Sequence, residues 1–208
     1  MKRPSDVASV AADLLGAALA LSNRDGWQSV TIEQVAQKAE IGKGTVYKHF
    51  RTKDDIYARL AIEFHRIVLT RLRAIDASLA PLDRLRAIIK VFWEVYRTQA
   101  EYQHVVEYCQ RPDFKRVLSD DVRTAMIEVE AGFASVIDET LQRAIDEGAL
   151  PDRPHQLALF GAQSALFGAL RLLWMDCLPG PKDQYFDELT EFILAGLTRG
   201  RAGARTRR

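Results

Sequence analysis

Apolar residues recur at three- and four-residue intervals through almost the whole chain, and no stretch keeps the two-residue alternation of a strand. Helices are therefore the units to be packed. Val7, Val10, Leu14, Ala18 and Leu21 make one apolar face, ended by Asn23 and Gly26. Ile56, Leu60, Phe64, Ile67, Leu72 and Ile75 make a longer one; Pro81 opens the next helix, with Leu85, Ile88, Phe92 and Tyr96 inward. A shorter element covers 102–110 and stops before Pro112. Val122, Met126, Val129, Phe133, Ile137 and Leu141 run down a long helix that Gly148 and Pro151 terminate. Two more helices, 155–176 and 185–197, lie on either side of Pro179-Gly180-Pro181. The expected fold is all-α, with about nine helices and short loops.

With 208 residues the chain can build one large or two modest domains. The stretch 7–21 comes nearest to a signal or membrane segment, but Asp13 interrupts it, and no other apolar run is expected to span a bilayer. Cys109 and Cys177 have no close Cys or His partner at metal spacing and make no disulfide framework, which suits a reducing cytoplasm. The net charge of +1 hides a division: residues 1–60 carry nine Lys or Arg against seven Asp or Glu, and residues 61–198 fifteen against twenty-one. A polyanion would be met by the head and not by the acidic body. The last ten residues hold five arginines among glycines and are too polar to pack, so 199–208 is expected to be a disordered basic tail.

The most informative segment is 29–57. Thr31-Ile32-Glu33-Gln34 is a capping box, in which the Thr31 hydroxyl accepts from the Gln34 N–H and Gln34 reaches back. It starts a short helix with Ile32, Val35, Ala36 and Ala39 inward; Ala36 is small enough to let a second helix cross closely, and Ile41 plugs the bend. The next helix, 43–50, buries Val46 and Phe50 and exposes Lys43, Thr45, Lys48 and His49. Two short helices joined by such a bend form a helix-turn-helix, whose second helix enters the major groove. Residues 42–53 hold Lys43, Lys48, His49, Arg51 and Lys53 without one acid, and Gly44 leaves room for a phosphate. Taken singly, Arg51 reads equally well as a solvated charge, Tyr47 as a half-buried core ring and His49 as a structural histidine. Gly42-Lys43-Gly44-Thr45 is not a nucleotide-binding loop, because the first glycine of that motif and the preceding strand are missing.

The stretch resembles the DNA-binding domain of the TetR family of transcriptional repressors. Thr31-Ile32-Glu33-Gln34-Val35-Ala36, Gly42-Lys43-Gly44-Thr45-Val46-Tyr47-Lys48-His49-Phe50 and Thr52-Lys53-Asp54-Asp55-Ile56-Tyr57 follow its pattern in order and spacing, over roughly 7–60. The resemblance implies that Lys43, Thr45 and Lys48 lie along the groove, that Tyr47, His49 and Lys53 meet phosphates, and that Thr31 helps at its helix start. Glu40 departs from the pattern, since many members carry glycine in the bend; a positive φ there would strain a glutamate by ~1 kcal/mol.

Residues 53–198 carry no motif of their own and are expected to form a helical ligand-binding and dimerisation domain, with residues 1–52 as the DNA-binding domain. Within the resemblance the last two long helices of each subunit pair into a four-helix interface. Gly161, Ala165, Gly168 and Leu172, then Leu189, Ile193 and Gly196, make a smooth seam suited to that, although small residues also pack within one subunit. Trp93, Tyr96, Tyr102, His104, Tyr108, Phe133, Phe167 and Trp174 are candidate walls of a ligand pocket, and plain core is the competing reading of each. Arg171, taken as buried among leucines, would need an anion, more readily an internal carboxylate than a ligand. The four histidines are scattered and no nucleophile elbow occurs, so no enzyme, metal or other cofactor is implied. Cys109 as a redox sensor has only the distant Arg111 to lower its pKa. The expected protein is a cytoplasmic homodimeric repressor released from a palindromic DNA operator by a small, largely apolar effector. An architectural or cell-division DNA-binding protein with the same head is the alternative.

Overall fold

The computed structural model describes residues 4–199, so the expected basic tail lies outside the described residues but for Arg199. Among them are ten α-helices and no strand: α1 (Pro4–Asp25), α2 (Ile32–Lys38), α3 (Lys43–His49), α4 (Lys53–Arg73), α5 (Pro81–Thr98), α6 (Gln103–Cys109), α7 (Phe114–Val117), α8 (Asp120–Asp146), α9 (His155–Trp174) and α10 (Lys182–Thr198). A 3-10 turn, Ala100–Tyr102, leads into α6. The extra helix relative to expectation is α7, one turn long and too short for periodicity to reveal.

Packing divides the chain into two compact units. One takes residues up to 67 together with 99–131, the other 68–98 with 132 onward. The expected functional boundary at residue 52 is not where packing divides the chain, because the first half of α4 is grouped with the head.

In the first unit α1 buries Leu14, Leu15, Ala18 and Leu21, and α4 buries Ile56, Tyr57, Leu60 and Phe64. The buried Ser22 hydroxyl donates to the Ala18 carbonyl at 2.8 Å and lies 2.6 Å from the Tyr57 hydroxyl, so the polar pair inside this core is satisfied. His65 on α4 has its pKa lowered by burial, Lys115 acting the same way and Glu130 against it. The unfolded chain would take up a proton near the ordinary value of 6.5, whereas the folded one resists it. This contribution is complete above that value and is lost as pH falls below it. The urea midpoint is therefore expected to drop between about pH 7.5 and pH 5.5, and to drop less in His65→Gln. Equal drops in both proteins would remove His65 as the cause.

In the second unit α5 faces α9 and α10 with Leu85, Ile88, Phe92, Trp93 and Tyr96 buried. Trp174 stacks on Tyr96 at 4.5 Å between ring centroids and donates its indole N–H to the Tyr96 carbonyl at 2.8 Å. Gly132 of α8 is required by a close approach, since a Cβ there would lie 2.6 Å from Leu69 Cδ2. Gly148, at φ +73°, follows the end of α8 as expected. One expectation fails: α9 is long and apolar enough to cross a membrane by length and composition. Its exposed side nonetheless carries Gln156, Gln163, Ser164 and Arg171, which suits an aqueous or protein-covered face better than lipid.

Candidate nucleic-acid interface

The capping box forms as read. Gln34 N–H donates to Thr31 Oγ1 at 3.2 Å, and the Gln34 side chain accepts from Thr31 N–H at 2.8 Å. Val35 and Ala36 are buried under α1, and Val46 and Phe50 anchor α3. The bend between α2 and α3 closes through a hydrogen bond from Ile41 N–H to the Ala36 carbonyl at 2.9 Å, with Glu40 at φ +56°. The left-handed residue expected in this bend is thus present, carried by a glutamate.

On the outer surface, Lys43, Gly44 and Lys48 are exposed and Thr45 and His49 half-buried. Tyr47 is 48% exposed, which removes the core-ring reading. Space around Gly44 is open, so the fold itself does not demand a glycine. Lys43 is committed: its ammonium pairs with Glu33 of α2 and lies 5.9 Å from the Tyr47 ring centroid. The pairing lowers the Glu33 pKa and raises that of Lys43 through their hydrogen bond. Lys48 and Arg51 are exposed, and neither pairs with an acid among the described residues.

Lys53, expected on a phosphate, is half-buried and has a partner within the fold. Its ammonium donates to the Trp27 carbonyl at 2.7 Å, beside the stacked rings of Tyr57 and Tyr108, and burial lowers its pKa, with Arg111 adding to the effect. Next to it Asp54 accepts from the Tyr108 hydroxyl at 3.0 Å and pairs with Arg111, whose guanidinium lies 4.0 Å over the Tyr108 ring. Asp55, 3% exposed, accepts from the N–H and hydroxyl of Ser119. Sequence reasoning missed this cluster, although Thr52 and Asp55 stand at capping-box spacing.

The candidate pocket residues fall into both units. Tyr102, His104 and Tyr108 belong to the first, Trp93, Tyr96, Phe133, Phe167, Arg171 and Trp174 to the second. Tyr102 stacks on Phe64, and Phe133 and Phe167 both meet Phe92. Arg171 is exposed, so the argument from a buried guanidinium does not apply to it. The buried arginine is Arg84, paired with Glu139 at 3.3 Å; its place one turn after Pro81, on the inward face of α5, was the available signal. Burial pushes the Cys109 thiol pKa well up, the opposite of what a reactive thiolate needs.

Along the α9–α10 pair, Gly161, Gly168, Leu172 and Gly196 are exposed and Ala165 and Leu189 half-buried. Ile193 is turned into its own subunit and leaves the expected seam. Three residues not foreseen stand out beside that seam: Leu157, Phe160 and Phe192, 64%, 74% and 69% exposed.

A capped α2, a tight bend and an α3 with a basic outer face define a helix-turn-helix DNA-binding domain. Residues 14–60 match the family model for bacterial regulatory proteins of the tetR family. The HTH-type transcriptional repressor KstR of Mycolicibacterium smegmatis is 32% identical over 77 residues, 36% of this chain and 38% of that one. KstR of Mycobacterium tuberculosis is 30% identical over 77 residues, 36% of this chain and 35% of its own. The chain thus aligns with little more than a third of the length of these relatives. The fold extends the likeness: FadR, the fatty acid degradation regulator of Bacillus halodurans, superposes with a TM-score of 0.72 at 17% identity, over 96% of this chain and 100% of that one. Bacillus subtilis FadR in complex with stearoyl-CoA gives 0.72 at 17% identity, over 89% and 98%. Residues 14–60 are thus similar to the DNA-binding domain of tetR-family regulatory proteins, and the likeness over the rest of the chain is one of fold.

Proposed function

We propose that this protein is a cytoplasmic transcriptional repressor, which binds a palindromic operator as a homodimer and leaves it when a small, largely apolar ligand occupies the helical domain. The observation that carries the reading is the exposed outer face of α3, where Thr45, Tyr47, Lys48 and His49 project from a helix whose inner face is fixed by Val46. Lys43, Thr45 and Lys48 would lie along the major groove, Tyr47 and His49 would meet phosphates, Gly44 would admit a close backbone, and Thr31 would stand at the start of α2. Residues 1–52 then read DNA, while 53–198 bind the effector and the second subunit. The KstR relatives are named as repressors, and a protein of the same fold holds stearoyl-CoA, which supports an acyl-bearing effector as the first to try.

The test is selection of binding sites from random double-stranded DNA with the purified protein at two salt concentrations. The expected result is a palindrome with half-sites about one helical turn, ~34–36 Å, apart. DNA without shared sequence would favour an architectural protein, and no retained DNA at low salt would overturn the reading. With the selected site in hand, Lys48→Ala is expected to relax preference at one or two base pairs, by about 1–3 kcal/mol each. A uniform loss over all sequences would move Lys48 to the phosphates.

A further inference from the structure

We infer that Glu33 is a specificity-determining residue, whose carboxylate fixes the Lys43 ammonium so that the two side chains read one G·C base pair as a unit. The inference rests on the DNA-binding reading of α3 and adds to it a residue of α2, the helix before the bend.

Lys43 differs from the other exposed cations of this surface. Lys48 and Arg51 pair with no acid among the described residues, whereas the Lys43 ammonium donates to Glu33 Oε1. The link joins the second residue of α2 to the first of α3. Free N–H groups at the start of a helix disfavour a cation, and the first turn of α3 holds no acid of its own. Glu33 supplies that charge from the neighbouring helix. On its other side the ammonium lies 5.9 Å from the Tyr47 ring centroid, within range of a cation–π contact. Held on both sides, Lys43 loses the freedom that a lysine needs to follow a phosphate.

The pair does little for the fold. The Lys43 and Glu33 side chains are 52% and 59% exposed, and an ion pair so placed contributes little stability. What it fixes is a pattern of donors and acceptors. The ammonium has three N–H donors, of which Glu33 takes one, and the carboxylate keeps acceptor capacity on its second oxygen. In the major groove guanine offers two acceptors, N7 and O6, beside the N4 amino donor of cytosine, whereas an A·T pair runs acceptor, donor, acceptor. A donor-rich ammonium next to a free carboxylate oxygen matches the first pattern and conflicts with the second. The pair also carries no net charge, so it adds little to the sequence-independent attraction of DNA.

The experiment titrates full-length wild type, Glu33→Gln, Lys43→Met and the double variant with three kinds of DNA, each over a range of salt. These are the selected duplex, its single-base-pair variants and a random duplex. In wild type, one G·C pair of each half-site is expected to weaken binding about tenfold or more when it is replaced. Both single variants and the double variant are expected to lose that preference to the same extent, within about twofold, because neither residue reads the pair alone. Neutralising one phosphate contributes about 0.9 to the slope of log K against log salt. Glu33→Gln frees the ammonium and is expected to steepen the slope on the random duplex by about that amount. The double variant, which replaces one neutral pair by another, is expected to stay within about 0.3 of wild type. A Glu33→Gln protein that keeps the G·C preference, or a double variant whose slope is flatter by about 0.9, overturns the assignment. Wild-type protein that retains no DNA at low salt overturns the DNA-binding reading itself, a result that none of the variant comparisons can mimic.

Discussion

Replacing Phe160 and Phe192 together by aspartate is expected to give a folded monomer whose affinity for a two-half-site operator is lower by about 10²–10⁴-fold. Both rings project from the paired helices α9 and α10, 74% and 69% exposed, with Leu157 beside them at 64%. Around them Gly161, Ser164, Gly168 and Gly196 leave the helix surfaces low, so a facing helix can approach closely enough to cover the rings. Large aromatic anchors at the centre of a close-packed patch carry most of the energy of such an interface, and a carboxylate placed there must be desolvated on association. The loss on DNA follows because a monomer holds one half-site and forgoes the effective concentration that the second head would have. Sedimentation and operator titration check the two halves separately. A wild type that sediments as a monomer at tens of micromolar, or a double variant that remains dimeric, would remove α9 and α10 as the interface.

How far this site could be read from the sequence depended on how local each cause was. The capping box at Thr31 and Gln34 needs only residues three apart, and it formed as read. Glu40 has its positive φ because the bend imposes it, again a local matter. On α9 Gly161 and Gly168 lie exposed, whereas on α10 two adjacent apolar residues, Phe192 and Ile193, leave the phase of the helix open by one residue, about 100°. The structure turns Ile193, expected on the seam, inward and Phe192 outward. Lys53 could not be oriented in advance, because its partner is a carbonyl in a loop 26 residues back and its screening ring, Tyr108, lies 55 positions on. Arg171 was expected buried for a related reason: it and Arg84 both sit beside leucines in sequence, and only the packing of α5 against α9 and α10 decides which is covered.

Asp55→Ala is expected to cost about 2–4 kcal/mol of stability, lowering the melting temperature by about 6–12 °C in a chain of this size. Thr52 caps α4 by accepting the Asp55 N–H at 3.1 Å, the first half of a capping box. In the usual second half the acidic side chain turns back to the cap; here it turns outward, taking Ser119 N–H at 3.2 Å and the Ser119 hydroxyl at 2.9 Å. Ser119 immediately precedes α8, so one buried carboxylate serves the starts of two helices, where free N–H groups favour negative charge. Alanine removes the acceptor for two donors at once and leaves the Ser119 N–H in a part-buried place without a protein partner. Asp55→Asn keeps one acceptor oxygen and the shape while losing the charge, and should cost about half as much. Ser119→Ala removes only the hydroxyl donor and should cost about 1 kcal/mol, with a coupling to Asp55→Ala of similar size in a double-mutant cycle. Since only three residues separate α3 from α4, the Asp55 variant should also bind DNA more weakly than its loss of folded protein accounts for. Chemical denaturation and DNA titration at a temperature where every variant is folded measure both quantities. A cost below about 0.5 kcal/mol would mean that water replaces the carboxylate at the start of α8, and the anchor would then have no part in holding α4 beneath the recognition helix.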